Sequence, residues 1–254
     1  DALTDADDNL AVGYAALGGN LLGSRNTALG AYTFEALNPA TAAQTYNTAV
    51  GYAAGNVITT GANNTFVGAL AGDALTDADN NVAVGKSALT TNRLGSESVA
   101  IGTFALNSQD PVDGSGDPEA TNMHNTAVGH NSGAAVTTGT LNTFVGALAG
   151  DATDDGAGCV AVGYSALSAN CGSSNTAVGS SAGLVITGTT NTAIGNAAGL
   201  ACTSGSNNIF LGTDSGRTGS PGGNVVTGAN GIYIGNENIT SAAIQVDWTV
   251  ASDQ

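Results

Sequence analysis

Residues that could do chemistry are few in this chain, and they sit in turns. Two acidic turns, Asp5-x-Asp7-x-Asn9 and Asp77-x-Asp79-x-Asn81, repeat an alternating oxygen spacing that matches the opening of a calcium loop. Both lack the next-position glycine and the distal bidentate Glu that complete an EF-hand. The expectation is a solvated turn that binds calcium weakly or not at all, and no other cofactor. His124 and His130 flank one short segment without Cys or acidic residues at ligand spacing, so neither a zinc site nor a general base follows. Cys159, Cys171 and Cys202 have no metal-like spacing. Cys159 and Cys171 could pair in an oxidising compartment, or all three could fill small apolar positions. No nucleophile motif, Walker loop or dinucleotide fingerprint is present, so an enzyme is not expected. The longest insertion, residues 107–124, carries Asp110, Asp113, Asp117 and Glu119 and reads as an exposed binding loop.

These residues hang on a repeated frame. The phrase Asn-Thr-Ala-Val-Gly, or a variant, returns thirteen times. Its glycines are Gly13, Gly30, Gly51, Gly68, Gly85, Gly102, Gly129, Gly146, Gly163, Gly179, Gly195, Gly212 and Gly235. Most intervals are 16 or 17 residues, and the exceptions are 21, 27 and 23. A sustained period of that size predicts a solenoid with one coil per repeat. No 3.6-residue apolar stripe runs between the glycines, which argues against helix. The expected fold is all-β: a parallel β-solenoid (β-roll) of about 13 coils of 16–17 residues, with longer inserted loops. It would occupy residues 1–235, with a C-terminal cap or connector over 236–254.

Four columns precede each glycine. The first is Asn in ten copies: Asn9, Asn26, Asn47, Asn64, Asn81, Asn125, Asn142, Asn175, Asn191 and Asn208. Stacked amides can form a hydrogen-bonded ladder, and Asn suits the corner entering a strand. The second and fourth columns hold only Thr, Val, Ile or Leu. They lie two residues apart and share one side of a strand; their branched character reads as the inward side. The third column is Ala in nine copies and aromatic in four (Phe66, Phe144, Phe210, Tyr233), and fits close approach by another layer, within the coil or from a neighbouring chain, the latter being the expectation. Later apolar stretches such as Val57-Ile58-Thr59 and Leu184-Val185-Ile186-Thr187 predict a second strand per coil. Residues 47–74 match 125–152 at 20 of 28 positions, so four coils form a longer unit. Asp1–Asp7 repeat Asp73–Asp79, and the chain reads as a piece of a longer array.

The formal net charge is −16, with Arg25, Lys86, Arg93 and Arg217 the only Lys or Arg residues. Such a surface repels phosphate backbones and argues against nucleic-acid binding. No apolar run approaches the ~20 residues that span a bilayer, so membrane insertion by this segment is not expected.

The columns, seen most literally in Ser98-Val99-Ala100-Ile101-Gly102, resemble the head repeats of trimeric autotransporter adhesins. The resemblance covers about residues 9–235. It implies a β-roll that packs as a homotrimer into a cell-surface head binding host matrix or cells. Phage tail-fibre-like repeat proteins carry similar repeats. The coils here are longer than that family's usual repeat, and no neck motif, coiled-coil stalk or membrane barrel is visible. The functional expectation is an extracellular, non-catalytic fibre or adhesin segment displaying loops for attachment to a surface receptor. A phage tail-fibre segment is one alternative. An ice-binding β-solenoid is another, because Thr recurs in the second column in seven coils: Thr27, Thr48, Thr65, Thr126, Thr143, Thr176 and Thr192. Ice binders need such a rank outward and flat, and an inward column would argue against that alternative.

Overall fold

The computed structural model describes residues 6–111 and 121–241. Each repeat gives one three-residue strand ending just before its corner glycine, from Leu10–Val12 to Ile232–Ile234. Thirteen strands stack in chain order into one sheet. Every pairing is parallel and in register; Thr48, Ala49 and Val50, for example, face Thr65, Phe66 and Val67. The longest insertion leaves that order intact, since Val99–Ile101 pairs directly with Thr126–Val128. Two short pairs, Gly23–Ser24 with Ala43–Gln44 and Gly95–Ser96 with Thr121–Asn122, brace the lengthened coils. The chain is therefore a parallel β-solenoid. Among the described residues no helix is long and apolar enough to cross a membrane.

The corner glycines are required by the stacking. Gly68 has φ +136°, and a Cβ there would lie 2.6 Å from the carbonyl oxygen of Gly85 in the next coil. A side chain would strain the backbone and push the coils apart.

No strand forms at either place where a second one is expected, 57–59 and 184–187. Past the corner, the second and fourth residues take left-handed backbone, as in Ala53 (φ 51°) with Gly55 (φ 60°) and Ser87 (φ 55°) with Leu89 (φ 53°). An extended pleat cannot hold such residues. Neighbouring coils still bond through this limb: Phe34 N–H donates to Ala54 O at 3.2 Å, and Thr59 N–H to Thr76 O at 2.8 Å.

The sidedness of the strand is the reverse of the sequence expectation. From Ala28 to Phe210, every residue of the small column is fully buried inside the coil. The two branched columns are nowhere buried: their Val, Ile, Leu and Thr side chains stand on the outer face, half-buried or exposed. The reason is volume. Inside, the small column meets the fourth residue after the corner glycine, and the two share one narrow slot. Where the small column carries Phe66, the facing residues are Gly55 and Gly72, and a Cβ on either would lie within 2.8 Å of the ring. Phe144 lies between Gly133 and Gly150 in the same way, and Phe210 between Gly199 and Gly216. Where the small column is Ala83, Ala100 or Ala161, the facing residue is the fully buried Leu89, Leu106 or Leu167. In these coils large stands opposite small; where both are small, as at Ala49 and Gly55, the large side chains of adjacent coils, Phe34 and Phe66, reach in.

The predicted Asn ladder is present, and each amide does two jobs. Asn64 Oδ1 accepts the N–H of Asn81 at 2.9 Å, while its Nδ2 donates to Ala78 O at 2.8 Å. Asn142 repeats this with Cys159 N–H and Gly156 O, both at 2.8 Å. One buried side chain thus satisfies a donor and an acceptor that the coil corner would otherwise leave unpaired. At Ser98 the ladder is mended by Gln109, whose Oε1 accepts from Asn125 Nδ2 at 2.9 Å.

Candidate functional site

The outer face of the sheet is the largest coherent feature. Its thirteen strands at about 4.8 Å spacing make a strip roughly 60 Å long. Two rows of side chains run along it. The row nearest the corner glycines includes Leu29, Val67, Ile101, Val145, Val178, Ile194 and Leu211, each 37–45% exposed. The second row contains all seven threonines, outward and half-buried. They fall in three in-register runs, Thr27–Thr48–Thr65, Thr126–Thr143 and Thr176–Thr192, with Val between the runs and Ile after the last. The Thr column is therefore outward, which corrects the inward expectation. An exposed strip of this continuity is a candidate interaction surface.

The other candidate residues do not converge. Asp5 lies outside the described residues. Asp7 N–H donates to Ser24 Oγ, and Asn9 is a ladder residue whose Nδ2 donates to Gly23 O. In the second turn, Asp77 accepts from Thr60 Oγ1, Asp79 Oδ1 accepts from Ala62 N–H at 2.7 Å, and Asn81 Oδ1 accepts from Ser98 N–H at 3.0 Å. Each side chain of that turn is spent on a different coil-to-coil bond. Among the described residues, no three His, Cys, Asp or Glu side chains gather where they could hold a metal ion.

His124 lies at a corner with Nδ1 3.0 Å from Glu97 Oε2, and His130 is exposed past the next glycine. In the long insertion, Asp110 pairs with Arg93 at 2.7 Å. Asp113, Asp117 and Glu119 lie outside the described residues. A recess of about 290 Å³ is lined by Leu200, Ala201, Arg217, Thr218 and Asn224. Its one cation, Arg217, is paired with Asp214, and its lining supplies no general base. An edge of tyrosines, not singled out from sequence, runs beside the first corners: Tyr14 contacts Tyr32 at 5.3 Å, and Tyr32 contacts Tyr52 at 5.7 Å.

The three cysteines are buried and unbridged. Cys159 takes the ladder position of its coil. Cys171 lies across the slot with its Sγ 3.6 Å from that of Cys159. Comparison of the chain with protein-family models, with curated proteins and with solved structures finds no match.

Proposed function

We propose that this chain is a non-catalytic, extracellular fibre segment that assembles with copies of itself through the outer sheet face. Its lengthened coils would then stand out as loops for surface attachment. The observation that carries the reading is the pair of exposed branched rows running the length of the stack. Two such strips, each about 10 Å wide, would together bury on the order of 1,200 Å², the lower range of specific stable interfaces. A homotrimer with three faces turned to a common axis fits the head-repeat resemblance. The assembly contact moves with the corrected sidedness: it uses the branched columns, and the alanines and phenylalanines of the small column belong to the coil interior. The strong negative charge keeps assembled rods apart. A bacterial adhesin head and a phage tail fibre use the same device, and Asp110 with the rest of the 107–124 loop is the candidate contact for a receptor. Electron microscopy of the purified chain tests the reading. Straight rods roughly 60 Å long, thicker than a single coil stack, are expected; isolated single-stack particles would contradict it.

A second reading has one specific observation in its favour. Seven threonines stand outward in one column of an in-register sheet, the side an ice-binding face would use. Thermal hysteresis in a monomeric preparation would favour ice; its absence in an assembled one leaves the fibre reading in place.

A further inference from the structure

We infer that Cys159 and Cys171 form a disulfide site, closing one coil when a low-molecular-weight disulfide such as oxidised glutathione is the oxidant. Eleven residues lie between the two along the chain, yet their sulfurs are 3.6 Å apart inside the coil. Both are buried, at 0% and 1% exposure. Cys202 is excluded from the pair by the stack. It sits two coils beyond Cys171, behind the coil that places Ile186 in the same interior column, at a separation of about 10 Å. A disulfide needs Cα atoms about 4.4–6.8 Å apart, so only one pairing is compatible with the folded chain.

The environment explains why sulfur replaces an amide here. Cys159 Sγ takes the roles that Asn plays in other coils. It lies 3.3 Å from Gly172 O, the carbonyl equivalent to those that ladder amides hold. The hydrogen bond from Cys171 lowers the Cys159 thiol, against the opposing effect of burial. That same bond, together with burial, pushes the Cys171 thiol up. Of the two, Cys159 is the one whose thiolate is favoured, and Cys171 is the one that holds its proton.

The exchange balances in two steps. Cys159 thiolate attacks one sulfur of oxidised glutathione, forming a mixed disulfide and expelling glutathione thiolate, which takes up a proton. Cys171, giving up its proton, attacks the Cys159 sulfur and expels the second glutathione. Two protein thiols are oxidised and one small disulfide is reduced to two thiols.

The test is to refold the full reduced chain in a buffer of oxidised and reduced glutathione, where every cysteine starts accessible. The product is then quenched with acid, denatured, alkylated and mapped by mass spectrometry. The expected product has lost two hydrogens, carries one alkylated cysteine at Cys202, and contains a Cys159–Cys171 cross-linked peptide. Cys202→Ser should form the same cross-link. The rate of closure should rise with pH as the attacking thiols ionise. A refolded chain with three alkylated cysteines, or a cross-link that includes Cys202, overturns the assignment. The fibre reading is untouched by either result.

Discussion

Phe66 and Val67 are neighbours in the chain and opposites in the fold: the Phe66 side chain is fully buried across Gly55 and Gly72, while Val67 is 37% exposed on the open sheet. One peptide bond separates the interior of the coil from its outer face. This follows from the period-two alternation of a strand. It makes adjacent substitutions behave differently. Phe66→Ala should cost about 3–5 kcal/mol, because the slot cannot collapse between the stacked backbones. Val67→Asp should leave the coil folded, with an unchanged far-ultraviolet circular dichroism spectrum, and weaken only assembly. Urea unfolding of both variants checks the contrast, and equal destabilisation would place both residues inside.

The large-against-small rule of the slot predicts a rescue. Phe144→Ala leaves a cavity, and Gly150→Leu alone drives a side chain into the Phe144 ring, which a Cβ would already approach to 2.6 Å. Together the two changes recreate the Ala83 and Leu89 pairing found elsewhere, in which Leu89 accepts a left-handed backbone. The double variant should be more stable than the sum of the singles by about 1–3 kcal/mol in a double-mutant cycle. Simple additivity would mean that the two positions do not share space.

Removing a ladder amide should be costly out of proportion to its size. Asn64→Ala strands the Asn81 N–H and the Ala78 carbonyl, each in a buried corner. A loss of about 1–3 kcal/mol for each stranded group is expected in chemical denaturation. A change of under about 0.5 kcal/mol, the size of an ordinary surface substitution, would mean that water replaces the amide.

Gly68→Ala tests the stacking distance. The new Cβ meets the carbonyl carbon and oxygen of Gly85 at 2.6 Å, both backbone atoms that cannot swing away. A destabilisation of about 1–3 kcal/mol or more is expected from the backbone strain and the clash. Unchanged thermal melting would indicate looser stacking than the in-register sheet requires.

Much of this architecture is legible in the repeat itself. The period gives the coil, the invariant glycines give the corners, and the Asn column gives the ladder. Sidedness was harder, because alternation fixes which residues share a face and leaves open which face is inward. β-Branched residues suit either side of a pleated sheet, so their chemistry did not decide it. The deciding signal lies in pairs: the columns of Phe66 and Gly72, Phe144 and Gly150, and Phe210 and Gly216 vary together, as do Ala83 with Leu89 and Ala161 with Leu167. Two columns that exchange volume must face one another, and these two enclose the core. The missing second strand had its own cause. Val57-Ile58-Thr59 looks extended by composition, but its limb is set by left-handed residues such as Ala53 and Gly55. Of the candidate site, the acidic spacing in the second turn was visible, but nothing in it showed that Asp77, Asp79 and Asn81 would each bond a different neighbour.

The outward branched rows carry the account, and light scattering on the purified chain at micromolar concentration tests them most directly. The expected mass is a multiple of the 24.5 kDa chain, three copies in the trimeric arrangement. The triple variant Val145→Asp, Val178→Asp, Ile194→Asp should fall to a single copy while keeping its secondary structure. A wild-type mass of 24.5 kDa, unchanged by those substitutions, would contradict assembly through this face.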